Sequence, residues 1–204
     1  MATAPSVATL PDEDWKGLLL DLLPSQGSWS EDAYLWLTDH TTRMVELSDG
    51  RLEVLPMPTD RHQSILQALF LAFFAYLDPR GGKVQFAPLR LRLREGKIRE
   101  PDLLLVKDVN DPRRQNRFWT GADLVLEVLS PDRPARDRDE KRSEYAAARI
   151  PEYWIGDPAL EAIAVLGLRG GKYRTIATHQ RGAEAKAVTL ADFVVSVDAV
   201  FDAA

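Results

Sequence analysis

The amino-acid sequence predicts an α/β fold (α+β mixed sheet), and three observations predict it. Residues 102–106 (DLLLV) and 123–129 (DLVLEVL) are nearly continuous apolar runs, the pattern of central strands buried on both faces. Residues 89–94 (LRLRLR) alternate with period two, as a strand with one apolar and one basic face does. Two stretches with helical signatures, 61–77 and 137–149, interleave with these strands along the chain.

Taken in order, residues 1–29 read as a variable leader with one short helix around 12–23. A single domain is expected over 30–204, since no repeat, low-complexity run or Pro/Ser linker divides it. Ser30 followed by Glu31 and Asp32 is an N-cap with acidic first-turn residues, opening a helix through Leu37. Residues 44–47 and 52–55 are short strand-like runs, and Asp49-Gly50 between them has the residue types of a tight hairpin turn. Thr59 or Asp60 caps the helix from about 61 to 77. Its Ile65, Leu66, Leu69, Phe70, Phe73 and Phe74 form a broad apolar face, expected to be largely buried. Gly81-Gly82 ends it, and the 89–94 strand follows. A polar loop, 107–121, joins the two apolar strands. Residues 137–149 carry Asp at the start and Arg142 and Arg149 later, the polarity a helix dipole favours, and Pro151 closes the helix. Residues 152–155 return as a strand. Residues 160–168, 172–177 and 187–190 read as further strand segments around a Gly170-Gly171 turn.

Composition narrows the function. A chain of 204 residues, 45% hydrophobic and 28% charged, is long enough to bury a core and too apolar for disorder. It has no cysteine, which excludes disulfides and thiolate metal sites. A bound metal would be held by carboxylates, histidines or carbonyls, a donor set that favours hard cations such as Mg²⁺. Residues 1–10 lack a basic segment followed by a long apolar one, and the apolar stretch near 66–77 is too short to span a bilayer. A cytoplasmic protein without a membrane partner is therefore expected. The formal net charge of −5 argues against binding nucleic acid by bulk basicity, but the charge is uneven. Residues 79–142 hold 16 Lys and Arg against 11 Asp and Glu, net +5, while the remainder holds 10 against 20, net −10.

The locally basic third also carries the candidate chemistry. Asp102 opens one apolar strand and Glu127 sits near the end of the next, between Leu126 and Val128. An ionised carboxylate among apolar neighbours costs several kcal/mol unless a cation or donors compensate it, so two on adjacent strands suggest a metal. The carbonyl of Val128 is a third ligand candidate, and Mg²⁺, which keeps several waters, needs no more from the protein. In the following helix Asp137, Lys141, Tyr145 and Ala148 share one stripe, which lets Lys141 point back at the sheet. There it would orient a nucleophilic water and stabilise charge on a phosphoryl group. The alternative is structural: Asp102 caps a turn, and Glu127 is neutralised by Arg92 or Arg94.

Glu100-Pro101-Asp102, Glu127-Val128-Leu129-Ser130-Pro131, Asp137, Lys141, Tyr145 and Ile150-Pro151-Glu152-Tyr153-Trp154 together resemble the Uma-two family of restriction-endonuclease-like proteins, a branch of the PD-(D/E)XK nuclease superfamily. The similarity runs from about Ser30 to the C-terminus and takes in the hairpin at 46–53 and the His62-Gln63 pair. It implies an αβββαβ core, Mg²⁺ or Mn²⁺ held by Asp102 and Glu127, and hydrolysis of DNA by an activated water. One position departs from the superfamily pattern: Leu129 stands where the motif lysine belongs, so either Lys141 substitutes for it from the helix, the reading favoured here, or catalysis is lost.

Further residues carry expectations of their own. Glu46 lines the cleft as an added ligand or water-positioning base by the same resemblance, or is an exposed hairpin charge. His62, near a helix start, is more often a cap or surface residue than a base. Arg90, Arg92 and Arg94 track a phosphate backbone or form a solvated strand face, and Arg113, Arg114 and Arg117 on the 107–121 loop would close on the same ligand. Tyr145, Tyr153 and Trp154 are core or cleft-wall aromatics. A homodimer is expected by analogy with symmetric enzymes that cut both strands. A nuclease-fold module that binds DNA or a protein partner without cutting is the competing function.

Overall fold

The computed structural model describes residues 23–130 and 134–204, with residues 134–138 described by backbone alone. The expected leader helix around 12–23 lies outside the described residues but for Leu23, and the side chain of Asp137 lies outside them too. The helices are α1 (Glu31–Asp39), α2 (Asp60–Leu77), α3 (Pro134–Ala147) and α4 (Val197–Phe201). The strands are β1 (Val45–Ser48), β2 (Arg51–Val54), β3 (Lys83–Phe86), β4 (Leu91–Arg94), β5 (Lys97–Arg99), β6 (Leu103–Val106), β7 (Leu124–Val128), β8 (Glu152–Asp157), β9 (Ala162–Arg169), β10 (Lys172–Gln180), β11 (Glu184–Lys186) and β12 (Val194–Ser196).

A six-stranded sheet, order β10-β9-β8-β7-β6-β3, forms the centre. It is mixed: β7 and β8 run parallel, joined through α3, while the other neighbours pair antiparallel. Read along the chain, α2, β3, β6, β7, α3 and β8 are the αβββαβ order. Strands β4 and β5 leave this sheet and join the β1–β2 hairpin in a four-stranded sheet, order β2-β1-β5-β4. The hairpin turns on Asp49 (φ 50°) and Gly50 (φ 77°), the two positive φ values that match strand twist. Glycine is required at the second: a Cβ there would meet the Gly27 carbonyl oxygen at 2.5 Å.

The period-two alternation of the central strands decides which residues face which layer. Leu103 and Leu105 of β6, Leu124, Leu126 and Val128 of β7, and Trp154 of β8 pack with Ile65, Leu69 and Phe73 of α2. Leu104 and Val106, Val125, Leu129, Tyr153 and Ile155 take the other face, with Tyr145 and Ala146 of α3. Glu127 has the parity of Val125 and Leu129, so it points toward α3. Glu152, on the opposite parity, is fully buried as a structural acid. It accepts from Trp154 Nε1 (2.6 Å), the Val188 and Thr189 amides (2.9 and 2.7 Å) and Thr189 Oγ1 (2.6 Å).

Several expected elements differ in detail. Strands β3 and β5 are three or four residues long with charged positions, too short to show a period, and were not expected. Residues 187–190 do not form a strand; β12 and α4 follow instead. The apolar face of α2 is only partly covered: Phe74 is 41% exposed because the helix packs on one side alone. Loop 107–121 is ordered by the pairing of Trp119 with Leu91 and Arg114.

Candidate active site

The β6–β7 register sets Leu103 opposite Leu126, which brings Asp102, one residue before β6, beside Glu127 and Val128 near the end of β7. Asp102 Oδ2 accepts the Val128 amide at 2.7 Å and lies 3.2 Å from His62 Nε2. Glu127, 8% exposed, accepts from Tyr145 Oη at Oε1 (2.6 Å) and pairs with Lys141 Nζ at Oε2 (3.0 Å). Both partners come from α3, one turn apart. The structural alternative thus falls on its cation, since neither Arg92 nor Arg94 reaches Glu127.

Glu46, on β1, is 1% exposed and closes the far side. Its Oε1 accepts the Glu100 amide (3.1 Å) and sits 3.5 Å from Lys141 Nζ; its Oε2 accepts from Arg99 (2.9 Å). Glu46 is therefore no exposed hairpin charge, because β1 is an inner strand between β2 and β5 and the Glu46 carboxylate is enclosed by Arg99, the Glu100 amide and Lys141. His62 is no surface residue either: it is 9% exposed in the first turn of α2, and the N-cap is Thr59, whose hydroxyl accepts the His62 amide. Asp102, Glu127, Lys141 and His62 line a cleft of about 200 Å³ together with Met44, Glu100, Val128 and Leu129, whereas Glu46 and Tyr145, expected at the cleft, are buried behind its wall.

The electrostatics follow from burial. Burial pushes the Glu127 carboxyl up, against the pull of the Lys141 charge, and the nearby Asp102 and Glu46 carboxylates add to the rise. Burial works against the Lys141 charge, but Glu127, Glu46 and Asp102 outweigh it and hold the amine protonated. His62 shows the same contest: burial disfavours its cation, and Asp102, Glu127 and the Val128 carbonyl raise it on balance. Burial, with Glu46 beside it, pushes Glu100 up to about 8.

Glu100 is a site residue that the sequence reading left without a role. It is 3% exposed, and its Oε2 is buried with no hydrogen-bond partner among the described residues. Its position immediately before the Pro101-Asp102 pair is the signal that marks it. Arg99 and Glu144, which brace the same region, carry no local signal.

Arg90, Arg92, Arg94, Arg113 and Arg114 are not brought to the cleft. Arg90 pairs with Asp39 (2.8 Å), Arg92 with Glu31 (2.8 Å) and Arg94 with Asp49 (2.6 Å). Arg113 is held by Asp111 and Asp123, Arg117 by Asp39, and Arg114 donates to the Val109 carbonyl. The row that reads as one basic face in the sequence is thus matched by acids from α1 and the hairpin turn, which pack beside β4 only in the folded chain.

Comparison with known proteins agrees with this geometry. A chain described as "a putative nuclease belonging to DUF820 from Anabaena variabilis ATCC 29413" has the same fold, with a TM-score of 0.68 at 18% identity, covering 86% of this chain and 98% of that one. No curated protein matches the sequence. The model of the family described as "Putative restriction endonuclease" matches residues 31–198, a span that contains Glu46, His62, Asp102, Glu127 and Lys141. The chain belongs to the Uma2 restriction-endonuclease family.

Proposed function

We propose that this chain is an endonuclease that hydrolyses DNA phosphodiester bonds with a water activated by Mg²⁺ or Mn²⁺. The observation that carries the reading is the convergence of Asp102, Glu127 and Lys141 on one cleft from three different elements. The donor set suits a hard divalent cation. Asp102, Glu127 and the Val128 carbonyl would hold it, and the buried Glu100 oxygen, unpartnered among the described residues, and the raised Glu127 carboxyl mark a crowding of acids that such an ion would relieve. Among the described residues no three His, Asp or Glu side chains gather closely enough to cage a metal by themselves. Mg²⁺ does not require a cage, since it keeps waters and takes substrate phosphate oxygens. When bound, such an ion polarises the phosphate and lowers the pKa of water.

The remaining roles fall to the protein. Lys141, held protonated beside Glu127, stabilises charge growing on the phosphoryl oxygens and stands in for the lysine that Leu129 replaces. Tyr145 fixes the Glu127 carboxylate by its 2.6 Å hydrogen bond. Glu46 orients Lys141 from the other side, and His62 holds Asp102. Phosphate contacts by Arg90, Arg92, Arg94, Arg113 and Arg114 require the backbone to displace their acidic partners, so they would weaken steeply with salt. The enzyme acts in the cytoplasm as a homodimer, two sites serving two strands.

Purified protein with Mn²⁺ or Mg²⁺ should cut duplex or single-stranded DNA, and Asp102→Ala should abolish cutting. No cleavage across metals and substrates, with wild type and variant alike, removes the reading. Leu129, buried where the motif lysine would stand, favours a second one: a binding module without turnover. Saturable Mn²⁺ binding in calorimetry, lost in Glu127→Ala, separates the two.

A further inference from the structure

We infer that Arg99 is a positioning residue of this site, whose guanidinium clamps α3 against β1 and β5 and so holds Lys141 at Glu127. The inference rests on the role given to Lys141 above. Arg99 is 2% exposed on β5 and does not line the cleft. Its Nε and Nη2 donate to the two oxygens of Glu144 (2.7 and 2.8 Å), Nη2 also reaches Glu140 (3.2 Å), and Nη1 donates to Glu46 (2.9 Å). Glu53 lies farther off, at 4.0 Å from Nη1. Glu140 and Glu144 flank Lys141 on α3, and Glu46 is the acid whose other oxygen faces Lys141.

One planar fork therefore ties together the helix that carries the lysine and the acid that steers it. Lys97 reinforces the tie, its Nζ donating to Glu144 (2.7 Å) and Ser48 (2.8 Å). Such a cation is needed for two reasons. The helical stripe that turns Lys141 inward also brings Glu140 and Glu144 toward Glu46, and three carboxylates without a shared partner repel. A lysine at position 99 keeps the charge but not the fork, so it cannot hold Glu46 and both oxygens of Glu144 at once. Arg99 touches no substrate-facing surface, so its effect on the reaction passes through Lys141.

The test uses the full chain with Arg99→Met and Arg99→Lys. Reductive methylation of Lys141 is followed by peptide mass spectrometry, with exposed Lys186 as the internal reference, alongside kcat and KM for DNA cleavage with Mn²⁺. Lys141 labelling should rise by about tenfold or more in Arg99→Met, since local opening frees a buried amine, with Lys186 unchanged and partial restoration in Arg99→Lys. The value of kcat should fall while KM holds. Lys141 as protected as in wild type, or labelling that rises with kcat unmoved, overturns the inference. Should Arg99→Met lose its cooperative melting transition, Glu144→Gln removes the same clamp from the helix side and is judged by the same two readouts. A wild type that cuts no nucleic acid defeats the proposed function, and Lys141 labelling alone then decides the clamp.

Discussion

Lys141 Nζ lies 3.0 Å from Glu127 Oε2, with the cation supplied by α3 and the acid by the next-to-last residue of β7, on the sheet face that α3 covers. Both groups are more than nine-tenths buried, so neither charge is stabilised by water. Each is kept by the other, and by Tyr145 and Glu46. A buried pair of this kind adds little over an apolar pair of the same shape, yet its rupture is expensive because one charge is left stranded. The same arrangement that suits a phosphoryl-transfer site therefore makes the fold depend on it.

Removing the cation alone should show that dependence. Lys141→Met is expected to destabilise the protein by about 3–5 kcal/mol in denaturant titrations, the usual cost of stranding a buried charge. Adding Glu127→Gln should recover part of that loss, giving a coupling energy in a double-mutant cycle. Additive effects of the two substitutions would mean that the pair does not interact.

The phenol of Tyr145 is held well above its ordinary pKa by burial and by the Glu127 charge, so it stays a neutral donor. Tyr145→Phe deletes a hydrogen bond to a charged group and should cost about 1.5–3 kcal/mol in thermal or chemical unfolding. A loss below the scatter of the measurement would show that Glu127 is satisfied without it.

Glu152 provides the contrast between a structural acid and a site acid. Four donors satisfy it, on the sheet face away from α3. Glu152→Gln should lower stability by about 1.5–3 kcal/mol, since an amide cannot accept all four, and should leave Mn²⁺ binding at Asp102 and Glu127 intact. Weaker Mn²⁺ affinity in a folded variant would contradict that separation.

Acid stability should report the Arg99 clamp. Burial opposes the charge of Glu144, but hydrogen bonds from Arg99 and Lys97 outweigh it and hold the carboxyl below its ordinary range. A folded-state pKa below the unfolded one means stability that is present above the unfolded value, about 4.3 for Glu. It is lost as pH falls through the folded value. Wild type should lose stability on acidification below about pH 4.3, and Glu144→Gln should flatten that fall. Parallel curves for the two proteins would place the acid sensitivity elsewhere.

Much of the scaffold was legible from residue order. The runs at 102–106 and 123–129 could only be central strands, because apolar side chains of both parities need two covered faces. The stripe of Lys141 and Tyr145 follows from helical spacing, and the hairpin from Asp49-Gly50. The short strands β3 and β5 were not legible, since three or four residues with mixed charge carry no measurable period. The basic row at 90, 92 and 94 misled for a different reason: its acidic partners at positions 39, 31 and 49 are distant in sequence.

By itself, then, the sequence determined which residues alternate, where the main helices and the two central apolar strands form, and that Asp102 and Glu127 belong to those neighbouring apolar runs. Those properties depend on periods of two and 3.6 that any stretch of chain displays locally. Only the tertiary structure decided that Lys141 rather than an arginine answers Glu127, that Glu100 is buried with an oxygen unpartnered among the described residues, and that Arg99 braces α3. Coulomb and hydrogen-bond energies depend on distance and burial in space, and sheet pairing and helix docking set both after the local elements exist.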